Sequence, residues 1–118
     1  MPYKIKVRQN DTKPFISAVL VSNPDGIPHN LTGTTVVFSM AATIGSTSQK
    51  IKEKAVIIMN ALLGQVRYVW GIGDTDTVGT YYGEFEVTFA DGSILTFPER
   101  DEDGTGGYIE IEIFTEIA

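Results

Sequence analysis

Apolar and polar residues alternate along much of this chain with a period of two. Tyr3, Ile5 and Val7 alternate with Lys4, Lys6 and Arg8. Ile16, Ala18 and Leu20 recur at every second position, as do Val36, Phe38 and Met40. Successive side chains on a strand point to opposite faces, so each run predicts a strand with one buried and one wet side. The pattern is fullest between Gly64 and Phe89. There Val66, Tyr68 and Trp70 share one face of a strand, with Gln65 and Arg67 on the other. A polar corner, Gly71-Ile-Gly-Asp-Thr-Asp-Thr-Val78, leads into a second strand. On it Tyr81, Gly83, Phe85, Val87 and Phe89 face one way, and Tyr82, Glu84, Glu86 and Thr88 the other.

The predicted strands are residues 3–8, 15–21, 36–40, 50–54, 55–59, 64–70, 79–89, 94–97 and 108–113. Turn chemistry separates them. Gln9-Asn-Asp-Thr-Lys-Pro14 and Ser22-Asn-Pro-Asp-Gly26 combine local Asn/Asp bonding with proline and glycine. Asp91-Gly92 is a tight hairpin signal. Residues 27–34 form a loop that anchors Leu31 inward, and residues 41–49, small and polar, form a flexible one. The alternating lysines of 50–54 suit a short edge strand, because they discourage edge-to-edge pairing. Propensity alone permits a helix over 53–63, but the β-branched Val56, Ile57 and Ile58 and the following Gly64 favour strand. Eight or nine short strands at this spacing predict an all-β, antiparallel β-sandwich of two sheets, with a barrel as the less favoured closure.

Composition sharpens this picture. The 118 residues are read as a single domain spanning 1–118, with no linker or second domain. Folding at this size removes roughly two-thirds of the chain's surface from water, enough for a core without covalent staples. There is no cysteine, so disulfides, thiol chemistry and thiolate metal sites are excluded. No apolar run approaches the roughly 20 residues that span a bilayer, and no secretion-signal core is read at the N-terminus. Either the chain is cytoplasmic in origin or it leaves the cell by another route, such as lysis, and no membrane partner is expected. A net charge of -6 argues against nucleic acid as a partner, since that needs a basic footprint. The charge is uneven. Residues 1–54 carry seven Lys/Arg against three Asp/Glu, and residues 55–118 two against twelve. Lys4, Lys6 and Arg8 on the first strand, and Glu110 and Glu112 on the last, suit neighbouring strands whose opposite charges help fix register.

Candidate chemistry is sparse. Asp101-Glu-Asp-Gly104 and Asp74-Thr-Asp76 place carboxylates at spacings used by hard cations, but neither completes a calcium loop. Both are expected to be solvated acidic loops, with no metal. His29 is the sole histidine and is expected at the surface; a Ser–His or metal–His site has no second member. Asn30-Leu-Thr32 matches a glycosylation sequon, and nothing else points to a eukaryotic secretory pathway. Gly71-Ile-Gly73 is a turn, without the following helix a phosphate site needs. Tyr68, Trp70, Tyr81 and Tyr82 would make a stacking platform if outward, yet alternation turns three of the four into the core. No catalytic residue and no cofactor site are assigned, and an enzyme is not expected.

Two resemblances reside in the stretch with the strongest pattern. Asp76-Thr-Val-Gly-Thr-Tyr81-Tyr-Gly83 is similar to the corner before strand F of immunoglobulin-like sandwiches, where a tyrosine hydroxyl bonds back to the backbone. Tyr81 would be that tyrosine, and Gly83 the position that holds a cysteine in antibody domains. Trp70 and Phe85 are then packing residues, and Gly79 and Tyr81 set the corner's geometry. The second resemblance runs over about residues 4–113. It is carried by Gln9-Asn-Asp-Thr with Pro14, Leu31-Thr-Gly33 with Val36 and Phe38, and Gly64-Gln-Val-Arg-Tyr68 with Trp70. It continues through Gly73-Asp-Thr-Asp-Thr-Val-Gly79-Thr-Tyr81, Phe85-Glu-Val87, Ala90-Asp-Gly92, Thr96-Phe-Pro98 and Gly107-Tyr-Ile-Glu-Ile111. This ordered set resembles the N-terminal domain of the bacteriophage baseplate upper protein family, the BppU type.

That resemblance implies a non-enzymatic, immunoglobulin-like module of a phage virion, made in the host bacterial cytoplasm. In such baseplate proteins the module docks on the tail hub and carries the receptor-binding apparatus through a linker. With no linker expected here, a free-standing accessory module follows, in tail or baseplate, or alternatively as a capsid or neck decoration. Its partners would be other virion proteins in a symmetric, multi-copy assembly. The expected contact surface is the basic face of Lys4, Lys6 and Arg8, or the 41–49 loop. A host-surface carbohydrate-binding module is the competing reading from another class.

Overall fold

The computed structural model describes residues 3–13, 15–22, 26–43, 48–98 and 107–115. Among these described residues nine strands run in chain order: β1 (Tyr3–Arg8), β2 (Ile16–Val19), β3 (Thr35–Ala41), β4 (Ile51–Ala55), β5 (Ile57–Asn60), β6 (Gln65–Tyr68), β7 (Gly79–Thr88), β8 (Ile94–Phe97) and β9 (Ile109–Phe114). They form two sheets. The larger has the order β1-β9-β7-β3-β4, with β8 also pairing to β7, and the smaller has the order β2-β6-β5. All pairs are antiparallel except β1 and β9, which run parallel in a register that sets Lys4 opposite Glu110 and Lys6 opposite Glu112. That exception to an antiparallel sandwich has an electrostatic component, since the facing side chains carry opposite charge.

The order is that of an immunoglobulin-like sandwich. The β2-β6-β5 sheet corresponds to strands B, E and D, and β9-β7-β3-β4 to strands G, F, C and C′. Two features are added. The first strand lies on the G edge, and β8 is inserted between F and G. The ten residues of β7 make both possible. Tyr82–Thr88 pairs with β3 on one side. On the other, Gly79–Gly83 pairs with β9 and Phe85–Thr88 with β8. The Asp91-Gly92 turn that returns β8 has Asp91 accepting from the backbone N–H of Ser93 at 2.9 Å.

Alternation decides what lies between the sheets. Val36, Phe38, Met40, Tyr81, Phe85, Val87, Ile109, Ile111 and Ile113 from the larger sheet are buried. Ile16, Val66 and Tyr68 meet them from the smaller. Leu31 is buried from its loop, as the pattern predicts. The core stacks aromatics across the gap: Phe38 lies on Tyr68 with centroids 4.7 Å apart, and against Phe85 at 5.2 Å. None of the described residues is helical. Over 53–63 the chain instead leaves one sheet for the other at Val56, whose N–H bonds the carbonyl of Val36 at 3.2 Å. β4 is an edge strand, with Lys52, Glu53 and Lys54 exposed. The acidic segment 99–106 and residues 44–47 of the small polar loop lie outside the described residues.

Candidate functional site

The corner before β7 is a closed hydrogen-bond unit. Gly79, at φ +154°, opens the strand in a conformation a side chain would strain, and a Cβ there would approach the Tyr81 ring at 3.6 Å. Tyr81 is buried, and its hydroxyl donates to the Thr77 carbonyl at 2.9 Å. Thr75 is buried beside it and donates to the Asp11 carbonyl at 2.8 Å. The Thr75 carbonyl in turn accepts from the Asn10 N–H at 2.9 Å, and Gln9 Nε2 donates to the Asp76 carbonyl at 2.9 Å. The corner is thus bound to the β1–β2 turn.

The corner is largely exposed, as expected of a solvated loop, and both its aspartates are hydrogen-bonded within the fold, Asp74 half-buried and Asp76 exposed. Asp74 accepts from the Tyr68 hydroxyl at 2.5 Å and from the Gly71 N–H at 2.7 Å. Burial first, then that bond and the carboxylate's charge, push the Tyr68 phenol well above its ordinary range. Asp76 pairs with Lys50, and hydrogen bonds from Lys50 and Thr77 hold its carboxyl below the usual range. His29 departs from a plain surface position. It is half-buried, with Nε2 2.7 Å from Ser22 Oγ and its ring edge-on to Phe97 at 5.0 Å. The hairpin-like return of residues 27–29 onto Leu20 brings it there. Among the described residues, no three His, Cys, Asp or Glu side chains gather as a metal site.

Trp70 is buried and meets the Tyr68 ring edge-on at 5.7 Å, while Phe85 is fully buried. Tyr82 points outward and meets Tyr108 edge-on at 5.0 Å. The four aromatics therefore do not form one platform.

Lys4, Lys6 and Arg8 share the outer face of the larger sheet at its β1 edge. Lys4 bridges Glu110 at 3.2 Å, and the Arg8 guanidinium lies 4.8 Å from the Phe114 ring centroid. Lys6 is exposed opposite Glu112. Toward the middle of the same face stand Glu84 and Glu86, two residues apart on β7. Burial, then the charge of Glu86, push the Glu84 carboxyl above its ordinary value.

The outer face of the smaller sheet was not singled out by the sequence pattern. It carries Phe15, Val19, Ile57, Met59 and Val69 around Arg67. Periodicity marks Gln65 and Arg67 as outward, but only the β2-β6-β5 pairing sets apolar residues of three separate segments beside them.

Among the described residues the arrangement offers sheet faces and strand edges as surfaces for contact. No curated protein matches the chain in sequence. The family described as BppU N-terminal domain matches residues 3–98, from β1 through β8 and including the Tyr81 corner. With that match on a nine-stranded immunoglobulin-like sandwich, the chain belongs to the BppU N-terminal domain family, a family of phage baseplate structural domains.

Proposed function

We propose that this domain is a non-enzymatic assembly module of a phage tail or baseplate, bound to other virion proteins in several symmetry-related copies. Family membership carries the reading. The fold supports it through its edges. β1 is paired to β9 along one side only, and it presents Lys4, Lys6 and Arg8 outward at that margin. A strand margin with exposed cations resists indiscriminate strand addition while remaining able to dock on a chosen acidic surface. Contacts repeated by symmetry add through effective concentration, so each can be weak alone.

Charge reversal at Lys4, Lys6 and Arg8 is the test. Virions assembled with the triple variant should lack the protein, while its melting curve stays cooperative. The Lys4–Glu110 pair is solvent-exposed and accounts for at most about 1 kcal/mol of stability, so folding should survive its loss. Normal incorporation of the triple variant would refute the β1 margin as the contact. Density for the protein on the capsid rather than the tail would move the reading to decoration.

A further inference from the structure

The two outer faces of the sandwich are chemically complementary. On the smaller sheet, register sets Ser17, Arg67 and Ile57 in one row across three strands. Val19, Ile57, Met59 and Val69 on this side are 42–51% exposed. Apolar side chains clustered this way around one cation are uncommon on a fully solvated face. The Arg67 guanidinium lies 5.4 Å from the Phe15 ring centroid, and its Nε is shielded from solvent with no hydrogen-bond partner. A guanidinium is a planar fork of donors that suits a carboxylate, and no described residue forms an ion pair with this one.

The opposite face supplies the acceptor. Glu84 and Glu86 project from the outer side of β7, where their cross-strand neighbours are Ser39 and Val37 on β3 and Thr96 on β8. None of these is a cation, and neither glutamate has an ion pair with any described residue. Val37 and the exposed Ile94 lie on the same face. Apolar side chains with acidic groups on one side thus match apolar side chains with a cation on the other.

We propose that the Arg67 face of one copy seats on the Glu84–Glu86 face of the next, with the aliphatic residues of both faces packed around the ion pairs. The two faces lie on opposite sides of one sandwich, so the contact is head-to-tail. Such a contact propagates into a ring when its rotation closes. The proposal deepens the assembly reading, and it rests on that reading only for the use of such a ring in a virion.

Sedimentation velocity on the full chain tests it, over a series reaching about 1 mM, the effective concentration of linked neighbours. The wild type should sediment faster as concentration rises. Arg67→Glu alone, and the double variant Glu84→Arg with Glu86→Arg alone, should each associate at least tenfold more weakly, because like charges then face each other. An equimolar mixture of the two should recover association, since each variant then offers the other a complementary face. Should Arg67→Glu disturb the packing on Phe15, as a lowered melting temperature would reveal, the double variant Arg67→Gln with Met59→Glu replaces it, putting the negative charge at an exposed position with the same expectations. A wild type that stays monomeric throughout overturns the proposal, and so does a mixture that stays monomeric while the wild type associates. Neither result bears on incorporation through the β1 margin, which is read in the virion.

Discussion

The Tyr81 hydroxyl donates to the carbonyl of Thr77, four residues upstream, across 2.9 Å. The bond ties the start of the longest strand to the corner that precedes it, and the corner is bound in turn to Asn10 and Asp11. Tyr81→Phe keeps the ring and deletes only the donor. Stability to denaturant should fall by about 1 kcal/mol, with the slope of the transition unchanged. An unaltered midpoint would mean that water replaces the tyrosine at Thr77 without loss.

Gly83 occupies a space that has no room for a methyl group. A Cβ there would sit 2.7 Å from Phe38 Cζ and 2.9 Å from Ile111 Cδ1. Both neighbours are fully buried, so neither can swing into solvent. Gly83→Ala should destabilise by about 1–3 kcal/mol, the usual cost of overpacking. Adding Phe38→Leu should make the double variant more stable than the sum of the single losses predicts, because the clash and the ring are the same event. Strict additivity in equilibrium unfolding would show that the strain is relieved elsewhere.

What the sequence disclosed follows from the range of each signal. Strand existence, inward faces and the turn at Asp91-Gly92 are local properties of alternation and turn chemistry, and they agree with β1, β3, β7 and β8. The β1–β9 neighbourhood was legible because Lys4 and Lys6 have matching charges at Glu110 and Glu112. Its parallel direction was not, since alternating charges pair equally well in either sense. The engagement of Asp74 depends on Tyr68 lying six residues earlier on the far side of a bend, which spacing does not reveal. The apolar face around Arg67 is assembled from three segments whose individual patterns look ordinary. Only their pairing creates the patch.

Tyr68 gives the fold an alkaline dependence. Its phenol donates to the Asp74 carboxylate, and burial with that bond raises its folded pKa above the ordinary 10.0. Below pH 10.0 the group is neutral in both folded and unfolded chains, and the bond contributes in full. As pH rises past that value the unfolded chain releases its proton first, so stability declines. Unfolding free energy should therefore drop more steeply with pH above about 10 in the wild type than in Tyr68→Phe. The difference in tyrosinate absorbance between the two proteins should also appear late, well above the range of a free tyrosine. Parallel stability curves for the two proteins would contradict the Tyr68–Asp74 bond.

Glu84 should show the opposite signature of a group held for contact rather than for folding. Burial and the neighbouring charge of Glu86 raise its folded pKa above the ordinary 4.5, so the folded chain holds the proton more tightly than the unfolded one. Ionisation on going from acid to neutral pH therefore costs stability. Glu84→Gln removes that cost. Because the side chain is only partly shielded and the residue keeps more than about a third of its surface exposed, the gain at pH 7 should be a few tenths of a kcal/mol after allowing for solvent screening. It should vanish below about pH 4, where the carboxyl is protonated in both states. Thermal unfolding of dilute protein at the two pH values measures this. The same variant should self-associate more weakly than the wild type, since one acceptor for Arg67 is lost. A side chain that lowers the stability of the free domain and strengthens its contact with the next copy is the trade expected of a working surface. A variant with raised stability and undiminished association would place Glu84 outside that surface.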